Sequence, residues 1–80
     1  MIYAQSAATK AAKKVKVGGI AHVGEFCIVK YGRDNFHIYK AGYLFSTQGH
    51  MGKGRDMADC VARVFILSQS DTLRVIVDNN

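Results

Sequence analysis

Three short runs rich in β-branched and aromatic residues follow one another between residues 25 and 47, and the chain between them is long enough only for turns. They are 25–31 (Glu-Phe-Cys-Ile-Val-Lys-Tyr), 36–40 (Phe-His-Ile-Tyr-Lys) and 43–47 (Tyr-Leu-Phe-Ser-Thr). Gly32-Arg33-Asp34-Asn35 separates the first two, and Ala41-Gly42 separates the last two. Glycine, asparagine and aspartate supply the backbone conformations that hairpin turns demand, so a three-stranded antiparallel meander is expected. The chain contains no proline, so nothing breaks a strand or helix from within.

The flanking segments have helical period. In residues 3–15, Ala4, Ala8, Ala11 and Val15 recur on one face, while Lys10, Lys13 and Lys14 lie off it. Gly18-Gly19 ends this helix and links it to the meander. Residues 48–55 read as a glycine-rich loop. Asp56 reads as a helix N-cap, with Asp59 in the place a capping box requires. The helix it starts runs to about Ser68, with Met57, Cys60, Val61, Val64 and Phe65 on one face and Ile66 nearly opposite. Residues 72–78 alternate as a last strand, with Leu73, Val75 and Val77 facing one way. The expected architecture is α+β: one small domain over residues 1–80, order α-β-β-β-α-β, an antiparallel sheet with the second helix across one face. A core of this size supplies only ~3–5 kcal/mol of net stability.

Charge is unevenly distributed. The net charge is +5, and all of the surplus falls in residues 1–40. That half holds Lys10, Lys13, Lys14, Lys16, Lys30, Arg33 and Lys40 against Glu25 and Asp34. In the second half, Lys53, Arg55, Arg63 and Arg74 balance four aspartates. A one-sided positive field attracts anionic partners. Two segments are suited to phosphate. The lysines of the first helix suit sequence-independent contact. The loop Gly49-His50-Met51-Gly52-Lys53-Gly54-Arg55 combines glycines, two bases and a following helix N-terminus. It is not a nucleotide-binding P-loop, because Gly54 stands after Lys53 where serine or threonine is needed. Tyr31, Tyr39 and Tyr43 lie near Lys30, Arg33 and Lys40 and are candidates for stacking on unpaired bases, although strand aromatics more often serve as core or cross-strand pairs.

Other chemistries find little support. Cys27, His37, His50 and Cys60 are the soft ligands worth grouping, yet no close pair marks a zinc site. Two cysteines make no disulfide scaffold. No Ser/His/Asp order or paired carboxylate stands out, and neither enzyme activity nor a cofactor is expected. The N-terminus lacks the apolar stretch of a secretory signal, and no run approaches the ~20 apolar residues of a membrane span. The cytoplasm, which is the host cytoplasm for a phage-encoded chain, is the expected setting.

Residues 19–28 (Gly-Ile-Ala-His-Val-Gly-Glu-Phe-Cys-Ile) resemble the Gly-Pro-x-His-x-x-x-Phe-x-Val segment of double-stranded-RNA-binding domains. The helix carrying Ala58, Ala62 and Leu67 is similar to that family's alanine-rich helix. The resemblance implies a minor-groove contact by His22 and phosphate contacts from the second helix. Arg55-Asp56 replace the family's paired lysines, and the final strand is additional.

The functional expectation therefore rests on charge. It is a small non-enzymatic binding protein acting on nucleic acid, or on nucleic-acid machinery, through a basic surface. The alternative is an inhibitor or adaptor of the kind phages encode, binding a host or defence protein through Ile66 and the apolar final strand around Ile76. A homodimer using Ile66 and an unpaired sheet edge is a third possibility.

Overall fold

A computed structural model describes residues 1–41, 43–48 and 56–79, with only the backbone of 43–48. The elements are β1 (Ile2–Ala4), α1 (Gln5–Ala12), β2 (Ile20–Val23), β3 (Phe26–Gly32), β4 (Asn35–Lys40), β5 (Tyr43–Gln48), α2 (Met57–Ser68) and β6 (Thr72–Asp78). They form an α+β domain with one sheet, in the order β1-β6-β2-β3-β4-β5. Every neighbouring pair is antiparallel.

The expected meander is present as β3, β4 and β5. The Gly32-to-Asn35 turn is tighter than expected, since Gly32 and Asn35 themselves pair. In the second turn Ala41 holds a left-handed backbone, φ 52°; Gly42, expected to supply the positive φ, lies outside the described residues.

Two strands go beyond the expected order. The segment 20–23, given no element in the expected order, is β2, and it forms a hairpin with β3 through Gly24-Glu25. Gly24 makes that turn possible with φ +59°, and a Cβ there would sit 2.9 Å from the Leu73 side chain. The start of the expected first helix is instead β1, and α1 is confined to Gln5–Ala12. β1 exists because β6 offers it a partner, with Ile2 opposite Arg74 and Ala4 opposite Thr72. A three-residue strand has too little pattern to read without that partner.

The last strand does not lie at an edge. β6 sits between β1 and β2, its residues 75–78 paired with β2 and 72–74 with β1. The final strand, expected as an apolar contact for a protein partner, is therefore paired inside the sheet. Its alternation is as expected: Val75 is buried, Leu73 and Val77 pack on the core, and Ile76 is exposed.

Both helices cover the same face of the sheet. Ala8 and Ala12 of α1 join Met57, Cys60, Val61, Val64 and Phe65 of α2 in one core with Ala21, Val23, Phe26, Ile28, Phe36, Ile38 and Val75. Methyl side chains on α1 let its backbone approach α2 and β6 closely, so the alanine stripe determines the interlayer spacing. The opposite sheet face has no covering layer among the described residues.

The fully buried Ala12 has no room for a larger side chain, whereas the exposed Ala7 does. Ala12→Leu is expected to lower stability by about 1–3 kcal/mol through overpacking. Ala7→Leu is expected to stay within about 0.5 kcal/mol of the parent. Urea unfolding of both variants measures the difference.

Candidate anion-binding recess

Chain direction brings the end of α1, the β3–β4 hairpin and the start of α2 to one end of the molecule. There Lys13, Val15, Lys30, Arg33, Phe36, Asp56 and Met57 line a recess. Each base arrives by a separate local cause. Lys13 is the C-cap of α1, donating its backbone N–H to the Thr9 carbonyl at 2.9 Å, and a cation there complements the helix's negative end. The Gly18-Gly19 linker is bonded to β3: Gly18 N–H donates to the Lys30 carbonyl at 2.7 Å, and Lys30 N–H to the Gly19 carbonyl at 3.1 Å. This brings the end of α1 alongside Lys30. The Lys30 ammonium lies 5.8 Å from the centre of the Phe36 ring, within cation–π range. Arg33 projects from the hairpin turn and is exposed.

The linker is closely packed at Gly19. A Cβ on Gly19 would meet Asn79 Oδ1 and Val15 Cγ2 at 2.8 Å and the Asp78 carbonyl at 3.0 Å. Asn79 ties the same region down, accepting from Lys16 N–H at 2.7 Å and donating to the Lys14 carbonyl at 3.3 Å.

The positive end of α2 opens on this recess, and its own sequence occupies it. Asp56 Oδ1 accepts from Asp59 N–H at 3.2 Å, and Asp59 Oδ2 accepts from Asp56 N–H at 3.2 Å. This is the capping box expected from the sequence. Among the described residues three bases and one acid line the recess, which gives it a positive surplus, while the capping box already occupies N–H groups at the start of α2.

The remaining bases lie elsewhere. Lys10 and Lys14 flank a shallow groove with Tyr3, Ala7 and Ala11 on the outer side of α1, and Lys16 is exposed beyond it. Lys40 is at the other end of β4, its ammonium 5.3 Å from the Phe26 ring centre. Lys53 and Arg55, with the rest of the glycine-rich loop 49–55, lie outside the described residues. Of the apolar contacts, Ile66 is exposed on the outside of α2 and Ile76 on the uncovered sheet face.

The tyrosines are separated from the lysines by the sheet itself. Lys30 and Lys40 pair with Phe36 and Phe26 and so share the helix-covered side. Tyr31 and Tyr39 are on the other side, their hydroxyls 2.9 Å apart, with the Tyr31 ring 4.4 Å from that of His37. The Tyr39 phenol titrates above the ordinary tyrosine value, first because of its hydrogen bond to Tyr31, then through desolvation and the charge of an ionised Tyr31. Aromatic rings and lysines thus do not make one stacking platform. Tyr43 lies in the segment described by backbone only.

The soft ligands are dispersed as well. Cys60 is in the core on the buried face of α2 and Cys27 on the uncovered face, and the two do not form a disulfide. His37 shares the Cys27 face, and His50 lies outside the described residues. The sequence grouping omitted His22, whose Nδ1 is 3.3 Å from Cys27 Sγ. Reading Gly24-Glu25 as a hairpin turn makes those two residues cross-strand partners, and that signal was available in the sequence. His22 is thus within a strand, where the resemblance to RNA-binding domains had implied a groove contact. Among the described residues no three His, Cys, Asp or Glu side chains converge as a metal site, and no helix is long and apolar enough to cross a membrane.

Comparison with family models, curated proteins and solved structures finds no match for this chain.

The capping box separates the structural role of Asp56 from its charge. Asp56→Ala removes the cap and is expected to cost about 1 kcal/mol. Asp56→Asn keeps a capping oxygen and is expected to remain within about 0.5 kcal/mol of the parent. Chemical denaturation of the two variants provides the comparison.

Proposed function

We propose that this chain is a non-enzymatic binding protein that engages the phosphate backbone of nucleic acid at the recess between α1, the β3–β4 hairpin and α2. The observation that carries the reading is the convergence of Lys13, at the end of α1, with Lys30 and Arg33 of the distant β3–β4 hairpin around one recess. The net charge of +5 supports it by drawing polyanions toward the molecule. Lys10, Lys14 and Lys16 extend positive charge along α1 and add diffuse attraction without a built contact.

The expected mode is weak in sequence preference. Two lysines and one arginine around a shallow recess hold phosphates, and Tyr31 and Tyr39 are on the far side of the sheet, away from stacking reach. Binding therefore depends steeply on salt, since each neutralised phosphate releases counterions.

The test is a salt titration of binding to single- and double-stranded oligonucleotides by fluorescence anisotropy. Replacing Lys13, Lys30 and Arg33 together by glutamine is expected to flatten the slope of log affinity against log salt by about 2–3, with each lost phosphate contact contributing ~0.7–0.9. Asp56→Asn removes the one acid that lines the recess among the described residues and is expected to tighten binding at low salt. An unchanged slope in the triple variant would overturn the assignment of the site. No binding of the parent protein to any oligonucleotide at ~50 mM salt would overturn the function.

A further inference from the structure

The sheet face away from the helices differs in chemistry from the rest of the molecule. Its positions follow from the register. Ile76, His22, Cys27 and Tyr39 form one row across β6, β2, β3 and β4, and Asp78, Ile20, Val29 and His37 form the next. Arg74 and Ile2 lie beyond the first row on the other side. Ile2, Tyr31 and Ile76 are 65%, 51% and 52% exposed. The outward positions of β1, β2, β3, β4 and β6 carry just two formal charges, Arg74 and Asp78, and β5 (Tyr-Leu-Phe-Ser-Thr-Gln) has none in its sequence. An antiparallel sheet that ends in water normally alternates apolar-in with polar-out. This one shows aliphatic and aromatic groups outward, the kind of patch that marks an interaction surface.

We infer that this face is the interface of a homodimer in which two sheets stack across a twofold axis running along the Ile76–His22–Cys27–Tyr39 row. The occupant follows from charge. The molecule as a whole is strongly basic, and two copies meeting through the helix layer would oppose like charges. The open sheet face is the neutral side. Its two charges are arranged to complement themselves: Arg74 and Asp78 lie two residues either side of Ile76 on one strand. An axis in the plane between the sheets and perpendicular to the strands reverses strand direction. It places Ile76 over its own copy and Arg74 over Asp78 of the second copy at both ends. One patch thus serves both partners, as a twofold interface requires. Stacked sheets of this kind lie ~10 Å apart with strands within ~30° of alignment. A standard interface needs about 800 Å² from each partner, roughly a sixth of the 5102 Å² accessible surface and within what one side of a molecule 28 × 25 × 24 Å offers. Ile66, on the outside of α2, takes no part. The inference does not depend on the anion-binding reading.

Sedimentation equilibrium of the full chain tests it. The expected result is a concentration-dependent mass approaching twice 8.8 kDa. Arg74→Asp and Asp78→Arg each place like charges opposite one another, and each is expected to weaken self-association by at least about tenfold. Mixing the two variants restores complementarity, since one then bears two acids and the other two bases, and a heterodimer is expected. Ile76→Lys, at an exposed position, is expected to give a folded monomer by circular dichroism. The register has its own readout. The axis brings Cys27 of the two copies together while Cys60 stays fully buried, so a short bismaleimide is expected to cross-link the parent protein and not Cys27→Ser. A monomer mass at ~1 mM protein would overturn the proposal, as would a dimer indifferent to both single charge reversals.

Discussion

The fold depends on the insertion of β6 between β1 and β2. Without that pairing, β1 is three residues with nothing to bond, β2 is the outer strand of a hairpin, and α1 has no strand beneath it. The pairing brings the two ends of the chain together, since Ile2–Ala4 meets Thr72–Arg74. It also places Val75, Leu73 and Val77 under the helices. The Asn79 side chain, one residue past β6, then bonds the end of α1 through Lys16 N–H and the Lys14 carbonyl. A chain of this size buries only about 60% of its unfolded surface. A long-range closure of this kind therefore orders the domain as one unit, at the cost of slower folding than local contacts alone would permit.

What could be read from residues alone follows the same division between local and distant causes. The capping box at Asp56 and Asp59, the buried face of α2 and the alternation of β6 are set by neighbours within a few positions, and each is found where periodicity and capping chemistry put it. β1 and β2 were missed because their evidence lies elsewhere in the chain. β2 is four residues long, and its inward positions, Ala21 and Val23, are too few for a period to stand out. The candidate site divides in the same manner. The basic character of the first half was legible, but residues 13, 30 and 33 meet only because the Gly18-Gly19 linker bonds to β3. Lys40, from the same half, is carried to the opposite end by the direction of β4. The proximity of Tyr31 and Tyr39 to Lys30 and Lys40 in sequence was misleading, because alternation along a strand sends neighbours to opposite faces.

That alternation also sorts the molecule's chemistry into two sides. Two helices are enough to cover one face of a six-stranded sheet, and both are used on the same face. Lys30 and Lys40 lie on the covered side because their stems lean over Phe36 and Phe26, where the aliphatic chains are shielded and the ammonium groups reach water. The uncovered side is left with Ile20, Val29, Tyr39, His22 and Cys27, half-buried by one another and carrying no net charge. A basic layer backed by a neutral sheet follows from which residues occupy alternate strand positions.

The geometry of the two sides also determines how the two proposals relate. The recess lies at the hairpin end of the sheet, the end that Asp78 also occupies, while Arg74 lies toward the other. An axis perpendicular to the strands exchanges those ends, so the recesses of a dimer point in opposite directions along the strands. They do not merge into one groove, and neither lies in the interface. On the two proposals together, each recess would bind its own phosphates, and its salt dependence would be that of a single subunit whatever the state of association. What the proposed dimer would add is reach: two independent anion sites at opposite ends of one particle would hold two nucleic-acid segments apart, or two parts of one strand, and would bind more tightly through linkage than either site alone.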